Sequence, residues 1–268
     1  MPLGPFESEV LRLLACNRNP DSYVGGATVI HQAPDSPRAS ADIDVFHDTA
    51  PAVHDAAARD TETLQTAGYE VRIVSRQESF CRGIVSKGPL VTKLEWVQDS
   101  AFRFFPVEPD VQLGWRLNFW DVATNKVLAF CGRDKLRDWI DVIYLHERHL
   151  CLAALVWAAA AKDPGLTPEF LLDTAKRFVR FPVESRHWEA VGVLPPPDLA
   201  KFKQQFLAIV DEAAALVGKL STVEMGCLYL DRTGKPVCPD PAATDFPKLT
   251  RHFGSIKGAW PRIVENPA

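Results

Sequence analysis

Residues 25–46 read GGATVIHQAPDSPRASADIDVF. A Gly-Gly pair opens this stretch and Asp42-Ile43-Asp44 closes it, with a polar turn at Pro34, Asp35, Ser36 and Pro37 between them. Residues 41–47 alternate, so they read as a strand with Ile43 and Val45 on one face and Asp42, Asp44 and Phe46 on the other. Residues 22–24 read as a short strand running into the glycines, and 27–32 as a short helix leaving them. The order is therefore strand, Gly-Gly, short helix, acidic strand.

Two carboxylates held side by side repel unless a counter-charge is present. A divalent cation removes the repulsion, and Mg²⁺ (or Mn²⁺) suits such a pair because it takes one or two carboxylates plus waters and substrate phosphates. Metal ions so placed clamp the attacking and leaving oxygens of a phosphoryl or nucleotidyl transfer. Glycine lets the backbone approach a ligand closely. A helix starting at Gly25 and Gly26 offers N–H groups to a phosphate chain. Arg38 and Ser40 stand just before the acidic strand, where they can touch a triphosphate. Asp-x-Asp alone is usually a solvated strand face and Gly-Gly alone a turn; the conjunction carries the argument.

The chain around this stretch is ordinary for a globular protein: 268 residues, 47% hydrophobic, 24% charged, net charge −4. The mild acidity opposes a DNA-coating role without excluding a local basic groove. No apolar run reaches the ~18 residues of a membrane span. Glu7 and Glu9 stand where a signal peptide would be basic, so none is expected. Cysteines at 16, 81, 131, 151, 227 and 238 form no CxxC pair and suggest reduced thiols in a cytoplasmic protein, with a Cys227–Cys238 bridge across a hairpin as the minor alternative.

Periodicity predicts helices near 6–16, 51–67, 121–130, 135–149, 151–161, 168–180 and 198–219. Strands are expected at 69–76, 79–86, 90–98 and 102–107, and a hairpin at 226–238 turning on Thr233-Gly234. The fold class is α+β: a mixed sheet domain over 1–115, followed by a mainly helical domain over 116–268.

The strand, Gly-Gly, helix, Ser-x-Asp-x-Asp arrangement resembles the DNA polymerase β nucleotidyltransferase superfamily. It is most similar to the AbiEii branch, which includes abortive-infection and MenT-type toxins. A second block supports the narrower resemblance. Residues 126–143 read KVLAFCGRDKLRDWIDVI, and Lys126, Ala129, Arg133, Arg137, Asp138, Asp141 and Val142 follow that branch's order. Asp138 and Asp141 share a helix face; ordinary surface ion pairs, Arg137 with Asp141, are the competing explanation.

The resemblance implies a nucleotidyltransferase of the polymerase-β-like fold, with Asp42 and Asp44 on the metal. Lys126 would steady the triphosphate, and Asp141, or else Asp138, would complete the site. Many relatives add a third carboxylate; Glu95, mid-strand in LVTKLEWVQ, is the candidate, against an equal alternative in which it pairs across the strands with a lysine or arginine. The implied partners are a nucleoside triphosphate, a tRNA 3′ end or another hydroxyl acceptor, and a cognate antitoxin protein. Two other readings stand beside this one: a small-molecule, antibiotic-type nucleotidyltransferase, and a catalytically incomplete nucleotide-binding module.

Other features point away from further chemistry. His146-Glu147-Arg148-His149 lacks HExxH spacing and reads as a basic helix end. Gly254-Ser255-Ile256-Lys257-Gly258 lacks Walker spacing. Basic residues are moderately dense at 82–93 and 133–137, where they flank an acceptor or form solvated edges. Trp115, Trp120, Trp139, Trp157 and Trp188 sit among apolar neighbours and are expected to pack.

Overall fold

The computed structural model describes residues 3–261, apart from 34–35, 39–41, 134, 178–183, 194 and 196. The chain forms two compact units, one of Met1–Ala101 with Pro106–Val122, the other of Phe102–Phe105 with Ala123–Ala268. The sequence suggested a division after 115, whereas this one falls after Val122.

The first unit runs α1 (Pro5–Leu14), β1 (Ser22–Val24), α2 (Gly26–Ile30), β2 (Asp42–His47), α3 (Ala50–Thr66), β3 (Glu70–Gln77), β4 (Phe80–Lys87) and β5 (Leu90–Gln98). After β6 (Phe102–Arg103), which belongs to the second unit, come β7 (Glu108–Asp110) and β8 (Gly114–Arg116). Its sheet has the order β3-β4-β5-β2-β1-β8-β7. β2 pairs in parallel with β5, and β1 with β8; the other neighbours are antiparallel.

Alternation in β2 decides which face is covered. Ile43, Val45 and His47 are buried, while Asp42, Asp44 and Phe46 are half-buried. The inner face packs against α1 and α3 through Val10, Leu14, Val53, Ala56 and Leu64. One polar knot lies inside this layer. Asp60 on α3 is fully buried and accepts hydrogen bonds from Trp96 Nε1 (2.7 Å), Asn17 Nδ2 (2.9 Å) and Arg18. These bonds offset the burial of its charge. α3 ends where Gly68 takes a positive φ of 82°, the left-handed conformation that glycine adopts at a helix C-terminus.

His47 closes β2 with its Nε2 3.1 Å from Ser22 Oγ. Burial, reinforced by the Arg18 charge, pushes its pKa down to about 4. The imidazole is thus neutral in the fold, and the unfolded chain takes up its proton first. Its stability contribution is full above the ordinary histidine value near ~6.5 and falls with acid down to about 4. The expected loss across that window is about 3 kcal/mol. Urea midpoints measured from pH 7 to 4 read it directly. His47→Gln should flatten that slope.

The second unit carries α4 (Phe119–Gly132, which begins in the first unit), α5 (Leu136–Arg148), α6 (Leu152–Ala159), α7 (Pro168–Arg177), α8 (Ser185–Glu189) and α9 (Leu199–Val217). β9 (Cys227–Leu230), β10 (Thr250–Phe253) and β11 (Ser255–Ile256) follow. Every residue of α6 is buried, as an all-apolar helix must be, with α7, α9 and β9 packed around it. Phe130, Trp139 and Phe206 meet edge to face, with ring centroids 4.4–5.8 Å apart. Asp198 caps α9 by accepting the N–H groups of Ala200 and Lys201.

Two expectations are corrected here and one is extended. The chain turns at 231–234 as expected and returns along β9, with a Leu230–Pro236 bridge and the Val237 N–H donating to the Tyr229 carbonyl at 2.9 Å, while β10 is the regular strand partner of β9. Cys238 bonds to Cys151, at a Cα–Cα separation of 5.6 Å, while Cys227 is buried in β9 and free. The strand expected at 102–107 shrinks to Phe102–Arg103, paired with β11. Trp139, Trp157 and Trp188 are core residues as expected; Trp115 and Trp120 are half-exposed. Among the described residues no helix is long and apolar enough to cross a membrane.

Candidate active site

The glycine pair and the acidic strand meet. Gly25 is extended, and its N–H donates to the Asp44 carbonyl at 3.1 Å. Gly26 has a φ of +64°, in the left-handed region that disfavours a side chain. A Cβ on Gly26 would stand 2.5 Å from Asp44 Oδ2, and one on Gly25 would stand 2.7 Å from the Phe46 ring. Both positions require glycine because the turn lies directly against the outward side chains of β2. Gly25 therefore brings proximity, its amide being engaged. α2 is only five residues long.

Across the sheet face, strand register builds a ladder of charges. Asp42 lies opposite Lys93, Asp44 opposite Glu95, and Glu95 opposite Arg82. Lys93 Nζ stands 2.8 Å from Asp42 Oδ1, and Arg82 Nε stands 2.8 Å from Glu95 Oε1. The Arg82 guanidinium also lies 5.1 Å from the centre of the Phe80 ring. Glu95 thus has the cross-strand basic partner that one of its two readings foresaw. Arg38 is buried, and its backbone carbonyl accepts from Ser36 Oγ at 3.1 Å. Ser40 lies outside the described residues.

Does this face fit a magnesium ion? Among the described residues no three ligating side chains converge. What is present is a pair of carboxylates on one face of β2, with Gly26 packed so closely on Asp44 Oδ2 that a side chain there would collide with it. That donor set suits an ion that completes its shell with waters and substrate phosphates. Lys93 and Arg82 are the residues that sequence reasoning did not assign here. The alternating KLE of β5 carried the signal, but only the register places Lys93 opposite Asp42.

In the second unit, Lys126 on α4 meets the carboxylates of α5. Its Nζ stands 3.0 Å from Asp138 Oδ1 and 3.0 Å from Asp141 Oδ2. Arg133 adds a second contact to Asp138, 2.8 Å from Nε to Oδ2. Both aspartates are fully buried, so neither stands on a solvated helix face. Burial pushes the Asp138 carboxyl up, but Lys126 and Arg133 together outweigh it and hold the pKa below its ordinary value. Lys126 touches the two aspartates at equal distance, so geometry alone does not rank Asp141 above Asp138. Nearby, Lys162 Nζ donates to Asn125 Oδ1 at 2.7 Å. His146 is structural: its Nδ1 accepts the Leu152 N–H at 3.1 Å, across the α5–α6 junction.

No protein-family model matches the sequence, and no curated protein matches it. Solved structures do. JHP933 from Helicobacter pylori is 15% identical with a TM-score of 0.46, over 80% of this chain and 90% of that one. MenT4, a nucleotidyltransferase toxin from Mycobacterium tuberculosis H37Rv, is 16% identical with a TM-score of 0.53, over 81% of this chain and 83% of that one. The chain has the fold of a MenT-type nucleotidyltransferase.

Proposed function

We propose that this protein is a metal-dependent nucleotidyltransferase that moves a nucleoside monophosphate from a triphosphate to a hydroxyl acceptor, as the toxin of a toxin–antitoxin or abortive-infection pair. The observation that carries the proposal is the packing of Gly26 on Asp44, beside Asp42, on the half-exposed face of β2. Sequence reading reached the same residues through the motif, and the MenT4 likeness supports the fold around them.

In the reaction, the acceptor hydroxyl oxygen attacks the α-phosphorus in line. An O–P bond forms, the bond to the β-phosphate bridging oxygen breaks, and pyrophosphate leaves. The hydroxyl proton passes to solvent. Asp42 and Asp44 would hold Mg²⁺ or Mn²⁺, which supplies neutralisation of phosphate charge. The chain's own part is positioning and preorganised charge. Gly25 and Gly26 allow the phosphates to approach the acidic strand. Arg38 is the nearest basic residue in sequence to that strand, and Lys126 with Asp141 supplies the second motif. A tRNA 3′ end is the acceptor that the toxin reading favours, and a cytoplasmic location follows from that acceptor.

The pairing of Lys93 with Asp42 and Arg82 with Glu95 favours one rival, the nucleotide-binding module, because both acidic side chains already have cationic partners. Incubation with each α-labelled triphosphate, Mg²⁺ or Mn²⁺, and either tRNA or a pool of small hydroxyl compounds separates the readings. Label on the 3′ end of tRNA is the expected result. Label on a small molecule replaces the toxin reading with the antibiotic-type one. Nucleotide binding without transfer to any acceptor establishes the module.

A further inference from the structure

Resting on the metal-site reading above, we infer that Lys93 is a resident counter-ion of Asp42 that a divalent cation must displace, making Lys93 a positioning residue for metal entry. The parallel ladder between β2 and β5 sets the two residues directly opposite, and the ammonium lies 2.8 Å from Asp42 Oδ1. An ammonium at that distance takes a lone pair that a metal ion needs. It also repels an arriving divalent charge.

The side chains differ in how firmly they are held. Asp42 is 17% exposed on a short side chain, whereas Lys93 is 37% exposed on a long flexible stem. The lysine is thus the partner that moves. Once displaced, it needs another anion, and the phosphates of a bound triphosphate supply one. Free cation therefore binds weakly, and cation arriving with triphosphate binds tightly. Glu95 does not take over the lysine, because Arg82 already holds it at 2.8 Å. The ladder keeps its carboxylates in place before ligand arrives and discourages a lone metal ion from occupying the site.

The test is Mn²⁺ binding to the full chain, followed by the electron paramagnetic resonance signal of the free ion, with no nucleotide present. Lys93→Met is expected to bind Mn²⁺ about tenfold more tightly than wild type, the scale of a like-charge repulsion screened at a half-exposed site. Lys93→Arg keeps the charge and should track wild type. Lys93→Gln replaces the methionine variant if thermal melting shows that one to be unfolded. The Asp42→Asn/Asp44→Asn double variant sets the baseline. Wild-type binding above that baseline, with unchanged or weaker binding in Lys93→Met, overturns the inference alone. Wild type and Lys93→Met both binding no better than the baseline overturns the inference together with the metal site it rests on.

Discussion

Nucleotidyl transfer is expected to fall by about 10²-fold or more in Asp44→Asn, the scale of losing one electrostatic contact to developing charge, while the melting temperature barely changes. Asparagine keeps the size of the side chain. It also leaves intact the backbone carbonyl that accepts the Gly25 N–H. Only the charge goes. In the ladder, Asp44 lies opposite Glu95, and like charges in register destabilise a sheet. Removing one charge relieves that repulsion, which offsets contacts given up with it. Asp42→Asn should lose transfer as well but melt slightly lower, because it gives up the Lys93 pair, worth up to ~1 kcal/mol at such exposure. Label incorporation and calorimetry on the two variants give the comparison. An Asp44→Asn protein that transfers at the wild-type rate removes the acidic pair from the mechanism.

The elements legible in the sequence are those whose reasons are local. β3, β4 and β5 follow from alternation and from the turn at Gly88-Pro89, and α6 from an unbroken apolar run. The approach of Gly26 to Asp44 was readable only through the motif, since eighteen residues separate the two and no local pattern brings them together. The misses share a cause. β7 and β8 are three residues each, too short for periodicity to register. β10 lies some twenty residues beyond β9, past a turn that offered a nearer partner. The Cys151–Cys238 pairing spans 87 residues and depends on where α6 starts in space. Lys93 belongs to the candidate site through strand register, which one strand's sequence does not specify. In α5, spacing put Asp138 and Asp141 on one face, but only packing shows that this face is buried.

That burial sets the second large effect. Lys126→Met is expected to destabilise the protein by about 3–5 kcal/mol, because it leaves buried carboxylates without their shared cation. For a chain of this size each kcal/mol moves the melting point by roughly 2–4 °C, so the drop is on the order of 10 °C. Arg133 still holds Asp138. Adding Asp141→Asn to Lys126→Met should restore much of the loss, and the double-mutant cycle measures the coupling. The pH dependence has a definite sign. The Asp138 pKa is lowered in the fold, so its contribution is present above the ordinary aspartate value and is lost as pH falls through the folded one. The Lys126→Met deficit should therefore be full at neutral pH and shrink in acid. It follows that lost activity in Lys126→Met says little about a phosphate contact, since the second motif's geometry fails with it. Lys126→Arg keeps the charge in the cluster while changing its reach. A Lys126→Met protein that melts with wild type would show that the lysine is not the counter-charge of this cluster.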